Sequence, residues 1–134
     1  MASKATILLV DDEAFNLDIM IDFLSFDNYA TLKAEDGIQA IEVLKNDPVV
    51  DLIILDRMMP NMDGMELIKI LKANEKWKDI PIIMQTAAAT SDQVKEGLSA
   101  GVYYYLTKPY EYESLIAVVN AALNKETIAT TEMS

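Results

Sequence analysis

Cysteine and histidine are both absent from this chain. Without cysteine there is no disulfide and no thiolate metal site. Without histidine the commonest general base, the commonest transition-metal ligand and the usual catalytic triad all fall away. Carboxylate, lysine, hydroxyl and backbone groups remain for chemistry. Basic residues are scarce: 11 Lys and Arg face 22 Asp and Glu, for a formal net charge of −11 and a sequence pI of about 4.2. That balance argues against electrostatic binding to nucleic acid or an anionic membrane, and a basic partner surface is the easier complement. Long apolar runs are missing too. The first, Ile7-Leu8-Leu9-Val10, is far too short for a signal-peptide core or a membrane span, so a cytoplasmic protein is expected.

What is present suits one globular domain. The 134 residues, 51% hydrophobic and 25% charged, can build one good core and not two. Ile7 to Val10 and Leu52 to Leu55 read as strands buried on both faces, the pattern of a parallel sheet. Tyr29 to Ala34 alternates weakly and predicts a strand nearer the edge. Ile80 to Gln85 and Val102 to Leu106 predict two more strands. Between them, helical spacing predicts helices over Ala14 to Phe26 (Phe15, Leu17, Ile19, Met20, Phe23, Leu24 and Phe26), from Asp36-Gly37 to Asn46-Asp47-Pro48, and over Met65 to Ala73. A fourth helix, capped by Thr90-Ser91-Asp92, carries Val94 and Leu98 and stops at Ala100-Gly101, and a fifth runs from Glu111 to Leu123. Strand and helix alternate five times, which predicts a parallel sheet with helices on both faces and right-handed crossovers. Residues 1–124 form the predicted domain, and 125–134 a polar tail or the start of a linker. The eight methionines are scattered and read as core filling.

Acids and other reactive groups gather at predicted strand ends: Asp11 and Asp12 after the first strand, Asp56 after the third, Thr86 after the fourth and Lys108 after the fifth. Singly, an acid there is more often a cap, and a lysine a solvated surface group. Together they converge on one sheet edge, where open α/β sheets bind ligands. Three clustered carboxylates call for a hard divalent cation, and Mg²⁺ accepts carboxylate, water and phosphoryl oxygens. With Mg²⁺ on Asp12 and Asp56, and on Asp11 mainly through water, one oxygen of Asp56 is free to attack phosphorus. A carboxylate needs no general base to do so. Lys108 and Thr86 can then steady the charge on the phosphoryl oxygens, and the small Ala87 leaves room for the group.

These motifs resemble the receiver domain of two-component response regulators, as found in single-domain chemotaxis regulators. The resemblance spans Ala5 to Asn124 and rests on Leu9-Val10-Asp11-Asp12-Glu13, Ala34-Glu35-Asp36-Gly37, Leu55-Asp56-Arg57-Met58-Met59-Pro60 with Asp63-Gly64, Gln85-Thr86-Ala87, and Ala100-Gly101 leading to Tyr105-Leu106-Thr107-Lys108-Pro109. It implies a flavodoxin-like sheet in the order 2-1-3-4-5 and a cis bond between Lys108 and Pro109. It implies that Asp56 accepts a phosphoryl group from a histidine kinase or a histidine phosphotransfer protein, and that the chain is a phosphoacceptor rather than an enzyme. Asp11, Asp12, Asp56 and the Met58 main-chain carbonyl would hold Mg²⁺, with Lys108 on the phosphoryl group. Thr86 and Tyr105 would be the switch pair, Tyr105 swinging inward behind Thr86. Downstream it implies an output protein or domain and a dimer on phosphorylation, with no nucleic acid or membrane partner.

Some positions depart from the family's habit. Met58 and Ala88 face the site without a group that orients water, which predicts a slowly hydrolysed phosphoaspartate. Tyr103 and Tyr104 fit equally well as packing against a helix and as part of an interface. Gln85 is polar where the strand is expected to be apolar. A flavodoxin-type carrier would need a hydroxyl- and glycine-rich phosphate loop where Asp11, Asp12 and Glu13 stand. A haloacid-dehalogenase-type phosphatase would place an acid where Met58 stands. A phosphorylation-independent docking module typically loses one member of the acidic cluster, Thr86 or Lys108. By length alone a stand-alone regulator is slightly preferred over a receiver fragment of a larger regulator or hybrid kinase.

Overall fold

Apolar runs too short for helices become the strands of one sheet, and the amphipathic segments between them cover its two faces. The computed structural model describes residues 5–46, 49–87 and 90–124. Within them the elements are β1 (Thr6–Val10), α1 (Ala14–Phe26), β2 (Ala30–Ala34), α2 (Gly37–Lys45), β3 (Leu52–Asp56), α3 (Gly64–Ala73), β4 (Ile82–Thr86), α4 (Ser91–Ser99), β5 (Tyr104–Thr107) and α5 (Tyr112–Leu123). All neighbouring strands are parallel, in the order β2-β1-β3-β4-β5, and the Lys108–Pro109 bond is cis, both as expected. No helix among the described residues is long and apolar enough to cross a membrane. The expected Asp47-Pro48 stop, Ala88 and the 125–134 tail lie outside the described residues.

Two-residue alternation divides the core. Ile7, Leu9, Leu52, Ile54 and Ile83 face α1 and α5, while Leu8, Val10, Ile53, Leu55, Ile82 and Met84 face α2, α3 and α4. Every one of these side chains is fully buried, which is why β1, β3 and β4 lack polar alternation. β2, at the edge, keeps Lys33 exposed.

Strand starts were the weaker expectation, because helix caps claim residues that read as strand. At the end of α1, Asn28 adopts a left-handed φ of 69°, its N–H donates to the Ser25 carbonyl, and the Tyr29 N–H donates to Leu24. This is a Schellman closure, so Tyr29 belongs to the cap and β2 begins one residue later. α4 ends likewise: Gly101 has φ 103°, with Gly101 N–H on Leu98 and Val102 N–H on Gly97. Val102 is spent on that cap, and β5 starts at Tyr104 rather than at Val102. Ile80 closes a turn onto Trp77, and Pro81 has no N–H to give, which delays β4 to Ile82.

Two helix faces differ from expectation. In α1, Leu17, Met20 and Leu24 are buried, but Phe15 and Phe26 are 75% and 80% exposed, Phe26 resting against the Tyr112 ring. In α4, Leu98 is largely exposed and Val94 half-buried; the residue turned fully inward is Gly97. A Cβ there would lie 2.9 Å from the Tyr105 ring, so the helix packs backbone-first on β5.

At α2, Asp36 caps the helix as expected, its Oδ1 accepting from the Gln39 N–H at 2.8 Å while its Oδ2 accepts from Asn61 Nδ2 at 2.8 Å. These hydrogen bonds, the Gln39 one foremost, hold the carboxyl below the ordinary aspartate value of 3.8. A depressed acid contributes stability above its unfolded pKa and loses it as pH falls through the folded one. Asp36→Ala is therefore expected to cost about 1–2 kcal/mol at neutral pH. Urea melts at falling pH will show the gap to wild type narrowing below 3.8.

Candidate functional site

The carboxyl ends of β1, β3, β4 and β5 open onto one cleft of about 340 Å³, lined by Asp12, Glu13, Asp56, Met58, Thr86, Ala87 and Lys108. Asp11 lies beneath it, fully buried, with its N–H bonded to the Ala34 carbonyl at 3.0 Å so that β1–β2 pairing continues to the acid itself. Asp56 is 6% exposed, ending the fully buried β3, and Asp12 stands in solvent. Carboxylate oxygens of Asp11, Asp12 and Asp56 lie within 4.8 Å of one another. Lys108 is placed by its N–H on the Thr86 carbonyl at 2.8 Å, and its ammonium reaches Asp56 Oδ2 at 3.0 Å and Asp11 Oδ2 at 3.4 Å. A larger hollow of about 520 Å³, lined among others by Tyr29, Asp51 and Asn120, sits at the sheet's other end, away from the acids.

Electrostatics set these groups apart. Burial raises the Asp11 carboxyl, and the nearby Asp56 charge adds to it, against the Glu13 N–H and Lys108, which lower it. Burial works to lower the Lys108 ammonium, but its bonds and charge pairing with Asp56 and Asp11 outweigh that and leave it raised. Three aspartates and one lysine carry a formal charge of −3 + 1 = −2, in an all-oxygen donor set. That chemistry fits a hard divalent cation.

Of the second layer the sequence marked only Gln85, as a polar residue in an apolar strand, and not its partners. Gln85, fully buried, donates from Nε2 to Asp11 Oδ2 at 3.3 Å and accepts at Oε1 from the Tyr110 hydroxyl at 2.7 Å. Burial, then the charges of Asp11 and Asp56, raise the Tyr110 phenol, keeping it a donor. On the other side, Arg57 donates to the Tyr105 hydroxyl at 3.4 Å and pairs with Glu96 of α4. Tyr105 itself is 8% exposed, folded inward against Gly97 in the domain as described. Tyr103 and Tyr104 are half-buried and pack against the core on the α1 and α5 side.

Fold and site together define a flavodoxin-like α/β domain whose strand-end chemistry is an acidic cluster beside one lysine. The sequence model of the response regulator receiver domain matches residues 7–120, and the chain belongs to that family, the phosphoacceptor modules of two-component systems. Among relatives, it is 42% identical over 120 residues to the phosphate regulon transcriptional regulatory protein PhoB of Pseudomonas aeruginosa, covering 90% of this chain and 52% of that one. The chain thus spans about half the length of the curated relatives it matches. Among solved structures, a putative response regulator from Chloroflexus aurantiacus superposes with a TM-score of 0.84 at 29% identity, covering 90% of this chain and 98% of that one. The chemotaxis protein CheY4 of Vibrio cholerae does so with 0.82 at 29%, covering 88% and 98%.

Proposed function

We propose that Asp56 is the phosphoryl acceptor, taking the group from a phosphohistidine on a histidine kinase or a phosphotransfer protein. The observation that carries this reading is the Lys108 ammonium, 3.0 Å from Asp56 Oδ2 at the floor of an open acidic cleft. One Asp56 oxygen forms the new O–P bond as the P–N bond breaks, and the imidazole leaves with that electron pair and takes up a proton. Asp11, Asp12, Asp56 and the Met58 main-chain carbonyl are the groups that would hold Mg²⁺, which when bound supplies a Lewis acid at the phosphoryl oxygens. Asp56 is held for attack by the Met58 N–H on its Oδ1 at 3.1 Å. Lys108 steadies charge on the incoming group, and the Thr86 hydroxyl donates to it. The chain is then the phosphoacceptor, assisting its own phosphorylation and, by hydrolysis of the phosphoaspartate to inorganic phosphate, its own dephosphorylation.

Downstream, the added charge draws Thr86 and, behind it, changes the seat of Tyr105, so that the face of α4, β5 and α5 is read by an output protein or domain. The same face is where a dimer would form on phosphorylation. The test is incubation with acetyl phosphate and Mg²⁺, followed by intact-mass analysis and peptide mapping. One added phosphoryl group on the peptide holding Asp56, absent when the cation is chelated before the donor is added, is the expected result. A gain mapped elsewhere, or none at all, overturns the reading.

A further inference from the structure

We propose that Gln85 and Tyr110 act as one coupled pair that positions Asp11 towards the cation; this rests on the reading of Asp11 as a cation ligand. β4 is buried along its whole length, and its other inward side chains are apolar except for Thr86 at its end. An amide in such a strand costs stability unless all its polar atoms are bonded. They are: Nε2 reaches Asp11 Oδ2 at 3.3 Å and Met20 Sδ at 3.5 Å, and Oε1 takes the Tyr110 hydroxyl at 2.7 Å. No buried side-chain polar atom among the described residues lacks a partner.

The direction of this chain is dictated by chemistry. A carboxylate only accepts, so the amide must turn its NH₂ to Asp11, and its carbonyl then faces a group that must donate. Tyr110 supplies that donor. A phenylalanine in its place would leave the carbonyl unpaired and the amide held only from its NH₂ end. Gln85 is also tied through its main chain, whose carbonyl accepts from the Arg57 N–H at 3.0 Å, and it lies in register with Asp56. The residue is thereby fastened to the strand end that carries one acid while its side chain holds another.

Lys108 cannot replace this hold. Its ammonium is shared between Asp11 Oδ2 and Asp56 Oδ2. Among the described residues, the Gln85 side-chain amide hydrogen-bonds to no acid but Asp11. With the Glu13 N–H on Oδ1 at 2.9 Å, the glutamine keeps both oxygens of Asp11 fixed even when the lysine leans towards Asp56. Outer partners of this kind typically govern metal affinity by about 10–100-fold.

The experiment is calorimetric titration of Mg²⁺ into unphosphorylated protein, comparing wild type with Gln85→Met, Tyr110→Phe and the double variant, with melting in chelator as the measure of fold. Gln85→Met should bind Mg²⁺ about tenfold more weakly, and Tyr110→Phe, which removes one hydroxyl from a partly buried ring, several-fold more weakly. The double variant should bind no more weakly than Gln85→Met alone, because both act on one chain of bonds. A purely structural role would lower the melting point in chelator and leave the Mg²⁺ constant alone. If wild type binds and both single variants match it within twofold, the pair has no positioning role and the proposal fails while the cation site stands. If wild type shows no binding, and Asp12→Asn changes nothing, the cation reading fails and takes this proposal with it.

Discussion

Asp56→Asn is expected to abolish the phosphoryl gain that a small phosphodonor gives the wild type. The substitution keeps the size of the side chain and the acceptor for the Met58 N–H, so the loop keeps its shape. It removes the nucleophile: a neutral amide oxygen keeps its lone pairs but lacks the negative charge, and is too weak a nucleophile to attack phosphorus. It also removes one unit of the site's formal −2, so the cation is held less tightly. Asp11 and Asp12 cannot stand in. Asp11 is fully buried, its oxygens taken by Gln85, Lys108 and the Glu13 N–H, and Asp12 is solvent-exposed, while the Lys108 ammonium pairs with the other two acids. Intact mass after phosphodonor treatment decides it, and a variant that still gains the group at the wild-type rate removes Asp56 from the role.

Gly64→Ala is expected to destabilise the fold by about 3 kcal/mol, the upper part of the range for forced overpacking. A Cβ at Gly64 would sit 2.7 Å from the Asp56 carbonyl oxygen, 2.8 Å from Leu55 Cδ1 and 2.9 Å from Arg57 Cα. Two of these neighbours are main chain at the end of the central strand, and the Gly64 N–H is itself bonded to the Arg57 carbonyl at 2.9 Å. Neither side can yield without moving Asp56. Gly37→Ala is the milder comparison, because there every obstacle belongs to one side chain, Met62, with Sδ at 2.8 Å, Cγ at 2.9 Å and Cβ at 3.0 Å. Its cost should be about 1 kcal/mol, since Sδ and Cγ can rotate away and only Cβ must shift slightly. Equilibrium urea unfolding of the two variants measures the difference; equal losses would show that the close approach at Gly64 is not what limits the site.

The residues explain which parts of this were readable. Fully apolar strands such as Leu52–Leu55 have one solution in a chain of this length, a parallel sheet covered on both sides, and the acids after them fall at the strand ends by construction. Helices α1, α3 and α5 were legible because three or more large apolar residues mark one face. α4 was legible from its Thr90 cap and Ala100-Gly101 stop, but its inward face was not, since the residue turned fully inward is Gly97, which has no side chain to signal burial. Phe15 and Phe26 misled in the opposite sense: spacing tells which residues share a face of α1, not how far the sheet and α5 extend to cover that face.

The sequence by itself determined the class, the five-fold alternation and the members of the acidic site, because hydrophobic periodicity and strand-end placement are local properties of the chain. Tertiary structure alone decided the second layer: Gln85 bonded to Asp11 and Tyr110, Arg57 bridging Tyr105 and Glu96, and Tyr105 packed on a glycine. Those partners are separated by many residues and meet only because the sheet order brings β1, β3, β4 and β5 side by side. A polar residue in a buried strand announces that it needs a partner, and only the packed fold says which one it has.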